Sequence, residues 1–134
     1  MRIKNKISAR NKLQKLYERP SLDENNKTSI EDKFLALIKN LLEKNLYDEN
    51  FGSEQLAAQI GLSVSQVNRK VKALTNLSTS IYLRNIRLEY AKTMINHKSV
   101  NISEIAYDTG FSSLSYFSKC FKEYTGVSPK KFIK

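Results

Sequence analysis

Cysteine, histidine, proline, glycine and tryptophan are scarce in this chain of 134 residues: one Cys, one His, two Pro, four Gly and no Trp. A single thiol, Cys120, excludes an internal disulfide, and with His97 as the sole imidazole the common zinc ligand sets cannot be assembled. So little Gly and Pro leaves few turns for an all-β chain, and an all-α fold is expected. No segment approaches the ~18 apolar residues needed to span a bilayer, and the opening Met1-Arg2-Ile3-Lys4-Asn5-Lys6 is too polar for a secretory signal. The parts of an enzyme are also missing. The His and the Cys fall in separate segments, no Gly-rich phosphate loop occurs, and no paired carboxylates mark a cleft. The expectation is a cytoplasmic protein without catalytic residues, metal site, cofactor or evident small-molecule site.

Positive charge is abundant by contrast. Lys and Arg number 23 against 13 Asp and Glu, a formal +10 with a pI near 9.7. Such a balance favours a polyanionic partner. The excess is unevenly spread: residues 1–19 carry seven cations (Arg2, Lys4, Lys6, Arg10, Lys12, Lys15, Arg19) and one acid, residues 20–50 are net acidic, and residues 51–134 carry twelve cations against five acids.

Residues 1–27 read as a basic helical connector arm and linker. Ile3, Ile7, Leu13, Leu16 and Tyr17 make a partial apolar stripe on the arm, and the polar run from Pro20 to Lys27 offers no core face. Thr28-x-x-Glu31 has the pattern of a capping box. After it, Phe34, Leu37, Ile38, Leu41, Leu42 and Leu46 recur at helical spacing and predict an amphipathic packing helix over about 30–46. Residues 28–134 form the second region.

That region contains a repeat. Leu56-Ala57-Ala58-Gln59-Ile60-Gly61-Leu62-Ser63 and Ile105-Ala106-Tyr107-Asp108-Thr109-Gly110-Phe111-Ser112 share Ala, Gly and Ser at an offset of 49. After one inserted residue the register becomes 50 and pairs Ser65 with Ser115, Arg69 with Lys119, Lys72 with Lys122, Thr75 with Thr125 and Ser78 with Ser128. Each copy meets the needs of a helix-turn-helix. A small Ala lets two helices approach, Gly four residues later turns the chain, and the next apolar residue plugs the corner. Ser63-x-x-Gln66 and Asn101-x-x-Glu104 are capping-box patterns. The two units are placed at about 53–75 and 101–125. A linker helix over about 80–96 is patterned by Ile81, Leu83, Ile86, Tyr90, Ala91, Met94 and Ile95.

Residues 53–133, most specifically the run from Ile105 through Phe117 and Phe121 to Phe132, resemble the tandem helix-turn-helix DNA-binding domain of AraC/XylS-family transcription regulators. Three departures stand out: Asn76 replaces a Gly, Thr79 stands where Pro129 stands in the second copy, and Phe132-Ile133-Lys134 replaces an aromatic-Arg ending. The first 50 residues do not resemble the family's sugar-binding β-domain. Arg2-Ile3-Lys4-Asn5 with Arg10-x-Lys12-Leu13 is similar instead to the connector that follows receiver domains in hybrid two-component regulators. The resemblance implies double-stranded DNA as partner, two recognition helices in successive major-groove segments, and activation through RNA polymerase. It also implies a receiver domain or dimerising partner N-terminal to this chain. A free-standing small regulator and a helical protein-interaction module are the alternatives.

The candidate DNA-binding residues are Ser63, Ser65, Gln66, Asn68, Arg69 and Lys72 in the first unit and Ser112, Ser113, Ser115, Tyr116, Lys119 and Lys122 in the second. Asn68 and Arg69 suit base edges, since Asn pairs with adenine and Arg with guanine in bidentate fashion. The second unit offers no Arg or Asn at these places and is the weaker base reader. Val64, Val67, Val71 and Leu74, and Phe117, Phe121 and Tyr124, are assigned to the core. Tyr116 is open between core and contact. Cys120 is assigned to packing, Arg87 to a structural pair with Glu104 or Asp108, Lys92 and Lys98 to the solvated surface, and His97 to helix-terminal carbonyls or solvent.

Overall fold

A computed structural model describes residues 24–97 and 101–133. The basic arm over residues 1–19, Lys98 and the side chain of His97 lie outside what it describes. Seven helices and no strand occur among the described residues: α1 (Glu24–Lys44), α2 (Ser53–Ile60), α3 (Val64–Thr75), α4 (Thr79–His97), α5 (Ile102–Asp108), α6 (Leu114–Thr125) and α7 (Pro129–Ile133).

The first helix corrects the sequence reading at both ends. It begins at Glu24, so the stretch 24–27 assigned to the linker is helical, and Thr28 lies inside the helix instead of capping it. A run of Glu, Asn and Lys lacks a core face but contains neither Pro nor Gly to break the backbone, so polarity alone does not stop a helix. At the other end the helix stops at Lys44, two residues early, and Leu46 leaves the apolar stripe for a turn in which Asp48 N–H donates to Asn45 O at 3.0 Å.

Two compact units make up the chain. In the first, α1 packs on α2 and α2 on α3. The buried residues Phe34, Ile38, Leu41, Leu42, Leu56, Ala57, Ile60, Val67 and Val71 form its interior, while Val64 and Leu74 are only half-buried. The second unit comprises Asn45–Gly52 and Ser80–Lys134. Its core gathers Leu88, Ala91, Ile95, Ile105, Ala106, Phe111, Phe117, Cys120 and Phe121, with Met94, Ile102, Tyr124 and Phe132 against it. Phe111, Phe117, Phe121 and Phe132 stack in sequence with ring centroids 5.1, 5.6 and 5.3 Å apart. Such aromatic pairs add about 0.5–1.5 kcal/mol each beyond their buried area. Cys120, 1% exposed, is part of this packing as expected. Leu88, wholly buried, was absent from the expected stripe of the linker helix.

Arg87 is structural, but its partners are not the expected carboxylates. Its guanidinium donates to four backbone carbonyls: Leu46 O, Thr109 O at 2.9 Å, Asp48 O at 3.1 Å and Phe51 O at 2.9 Å. Glu104 and Asp108 remain exposed. The turn leaving α1 and the turn leaving α5 aim carbonyls inward, and a planar fork of donors satisfies them better than one acid could satisfy the Arg. This binding explains why residues 45–52 belong to the second unit.

Candidate nucleic-acid interface

The sequence repeat is reproduced in matching corner and cap hydrogen bonds. In the corner between α2 and α3, Leu62 N–H donates to Ala57 O at 3.1 Å; at the matching corner Phe111 N–H donates to Ala106 O at 2.9 Å. Gly61 and Gly110 occupy the left-handed region at φ +92° and +86°, where a side chain would be strained. The second helix of each pair then opens on a serine. Ser63 Oγ accepts from Gln66 N–H at 3.0 Å while Gln66 Oε1 accepts from Ser63 N–H at 2.9 Å, the expected capping box. Ser113 Oγ accepts from Tyr116 N–H at 3.1 Å. Both helices end in a left-handed residue, Asn76 and Gly126, whose N–H groups reach Lys72 O and Lys122 O at 2.8 Å. Thr75 and Thr125 brace these ends by donating to Val71 O and Phe121 O at 2.7 and 2.8 Å. At the start of α5, Asn101 Oδ1 caps Ser103 N–H at 2.8 Å, one residue short of the reciprocal box expected with Glu104.

Because cap and corner fix the start of α3 and α6, their faces are fixed too. Residues 67 and 71 of α3, and 117, 120 and 121 of α6, are buried. On the opposite side of α3, Ser65, Asn68, Arg69 and Lys72 follow i, i+3, i+4, i+7 spacing and are all exposed. On α6 the equivalent stripe is Ser115, Ser118, Lys119 and Lys122, exposed except for half-buried Ser118. Sequence reasoning passed over Ser118, although the offset of 50 that pairs it with Asn68 pointed to it.

The stripes are unspent. Among the described residues the side chains of Asn68, Arg69, Lys119 and Lys122 make no hydrogen bond or ion pair, and the Lys72 side chain donates only to Asn76 O at 3.2 Å. Ser63 and Gln66 differ, since the cap occupies Gln66 Oε1 and leaves its NH₂ donors, a set suited to phosphate and unsuited to bidentate pairing with adenine. Ser113 is half-buried with its oxygen committed to the cap, and Ser112 is exposed.

Tyr116 is 49% exposed, with its ring 6.0 Å from that of Phe111. A hydrogen bond with the Cys120 thiol pushes its phenol pKa up, against the opposing pull of Arg84. It thus forms one wall of a cleft of about 260 Å³ in the second unit, lined also by Glu49, Phe51, Ser80, Arg84 and Arg87. Sequence reasoning missed Arg84, because the segments that build this cleft are far apart in the chain. Lys92, expected to be merely solvated, is half-buried and lies 3.3 Å from Glu89 and 5.9 Å from the Tyr124 ring centre. Among the described residues no group of His, Cys, Asp and Glu could hold a metal, and no helix is long and apolar enough to cross a membrane.

A family model described as a helix-turn-helix domain matches residues 56–134. The chain is 31% identical over 105 residues to the histidine kinase P4 of Formosa agariphila, covering 78% of this chain and 8% of that protein. It is 32% identical over 88 residues to the HTH-type transcriptional activator RhaS of Mannheimia succiniciproducens, covering 66% of this chain and 33% of the relative. This chain therefore spans a third or less of both. The C-terminal domain of the two-component response regulator yesN from Fusobacterium nucleatum superposes with a TM-score of 0.69 at 27% identity, covering 76% of this chain and 99% of that one.

Proposed function

The chain belongs to the AraC/XylS-type helix-turn-helix family, and from that premise we propose that it is the DNA-reading output module of a bacterial transcription activator, with α3 and α6 entering successive major-groove segments of one duplex. The family is one of DNA-binding transcription regulators. The observation that carries the specific reading is the duplicated polar stripe: two helices in the same local frame, each with an exposed cation pair three residues apart and opposite a buried apolar stripe.

In this reading Asn68 and Arg69 read base edges with Ser65 beside them, Ser115 takes the equivalent place on α6, and Lys72, Lys119 and Lys122 hold phosphates with Ser63, Gln66, Ser112 and Ser113. Tyr116 acts from the edge of α6. The second stripe, without Asn or Arg, contributes more to affinity than to sequence choice. Likeness to a histidine kinase over 8% of its length and to a response-regulator C-terminal domain over nearly all of that domain supports a place at the output end of a two-component signalling protein. A receiver or dimerising domain would then precede this chain, RNA polymerase would be the partner at the promoter, and the cytoplasm the compartment.

The test is fluorescence anisotropy of the 134-residue chain on a selected duplex and on random duplex. Arg69→Ala is expected to lose about 1–3 kcal/mol on the selected site, with little loss on random DNA. Lys122→Ala is expected to weaken both alike and to flatten the salt dependence. Equal loss on both duplexes for Arg69→Ala would reject its role as a base reader. Indifference of the wild-type chain to DNA at low salt would favour a protein-interaction module.

A further inference from the structure

The cleft of about 260 Å³ in the second unit is lined by two guanidiniums, those of Arg84 and Arg87. Arg87 lines it and is buried; its four terminal donor bonds all go to neutral carbonyls, and the Asp48 carboxylate supports its charge only through space. Arg84 lines it as well. Its Nη1 lies 4.0 Å from a Glu123 carboxylate oxygen, the outer limit of an ion pair, and 4.0 Å from Cys120 Sγ, and its buried Nε–H has no hydrogen-bond partner among the described residues. Two exposed serines, Ser80 and Ser112, add hydroxyl donors to the wall. Against two guanidiniums stands one acid of the lining, Glu49, which is exposed. A concave site lined by two guanidiniums, two hydroxyls and one exposed acid suits a small tetrahedral anion.

We propose that this cleft is a phosphate seat in which Arg84 holds the anion, Ser80 and Ser112 donate to it, and the buried charge of Arg87 attracts it from behind. The occupant is a backbone phosphodiester of bound DNA. Ser112 at the rim precedes α6 and Tyr116 lies in its first turn, so a duplex engaged by that helix carries its flanking strand past the opening; this identification rests on the DNA reading above. A free phosphate monoester shares the chemistry and is separated from the diester by the test.

The full chain is titrated with a random-sequence duplex over a range of KCl concentrations, in wild type, Arg84→Gln, Arg84→Lys and Lys92→Gln. Loss of one phosphate contact lowers the slope of log K against log salt by about 0.9. Arg84→Gln is expected to show that drop, Arg84→Lys to recover most of it, and Lys92→Gln, with the same change of charge, to leave the slope in place. Glu123→Gln, which releases Arg84 from its weak partner, is expected to tighten binding. In parallel, inorganic phosphate is titrated while the Arg84 Nε–H resonance is followed by NMR. A shift that duplex DNA suppresses identifies the diester as occupant; a shift unaffected by DNA assigns the seat to a free phosphate. If the wild-type chain ignores duplex yet the resonance still responds to phosphate, the DNA reading falls and the seat stands. An unchanged slope in Arg84→Gln together with a silent resonance overturns the proposal.

Discussion

Replacing Arg87 by Met keeps an unbranched apolar stem but removes the four N–H groups that hold carbonyls of residues 46, 48, 51 and 109. Hydrogen bonds from a charged donor contribute about 1.5–3 kcal/mol each. The four are unequal. Those to Thr109 O and Phe51 O are buried, so the abandoned carbonyls have no ready replacement, whereas those to Leu46 O and Asp48 O are partly buried and can turn to water. Counting the buried pair in full gives roughly 3–6 kcal/mol. Relief of the guanidinium desolvation, which holds its pKa below the ordinary arginine range, offsets part of this. The expected loss is about 3 kcal/mol in the second unit. Urea unfolding followed by circular dichroism measures the total, and amide hydrogen exchange locates it. Residues 45–52 should lose protection first, since Arg87 is what binds them to that unit. A loss below about 1 kcal/mol, or unchanged protection over 45–52, would refute the assignment of this Arg as the organiser of the second unit.

Gly110→Ala should destabilise far more than Gly126→Ala: both residues have positive φ, but a Cβ at 110 would run into the Arg87 guanidinium and Leu46 O, while one at 126 meets nothing within 4 Å. The expected costs are more than ~3 kcal/mol against ~1–2 kcal/mol, read from thermal melts. Thr79→Pro should stabilise by about 0.5–1 kcal/mol, because Thr79 is wholly buried with an unpartnered Oγ1, opens α4, and matches Pro129 at the start of α7; a lower Tm would contradict this. Tyr124 has its pKa pushed up to about 12 by burial and by its hydrogen bond to Glu89. Its contribution to stability is therefore complete below the ordinary tyrosine pKa of 10.0 and is lost as pH rises toward 12. In a phenolate absorbance titration, Glu89→Gln should move that transition down.

The legible parts of this fold were those written in side chains at fixed spacing. Ala57 and Gly61 against Ala106 and Gly110 disclosed the repeat, and the structure reproduces it as matching corner hydrogen bonds. Ser63 and Gln66 disclosed a cap that is present as expected. The exposed stripes of α3 and α6 followed from placing Val67, Val71, Phe117 and Phe121 inside. What escaped was written in the backbone or between distant segments. Arg87 seeks carbonyl oxygens, which every residue carries and no sequence pattern marks, so Glu104 and Asp108 were the natural but mistaken choice. Thr28 presented a capping pattern that the chain overrides by starting its helix a turn earlier. Arg84 gains interest only when segments near residues 50, 80 and 112 close a cleft around it.

Hydroxyl-radical footprinting of the full chain on a duplex selected from a random library tests the central claim most directly. The account predicts two protected stretches on one face, about one helical turn of roughly 10 base pairs apart, with the stretch under α3 losing its sequence dependence in Arg69→Ala. A single protected stretch, or protection spread evenly along the duplex, would contradict the claim that both helix-turn-helix units engage the same DNA.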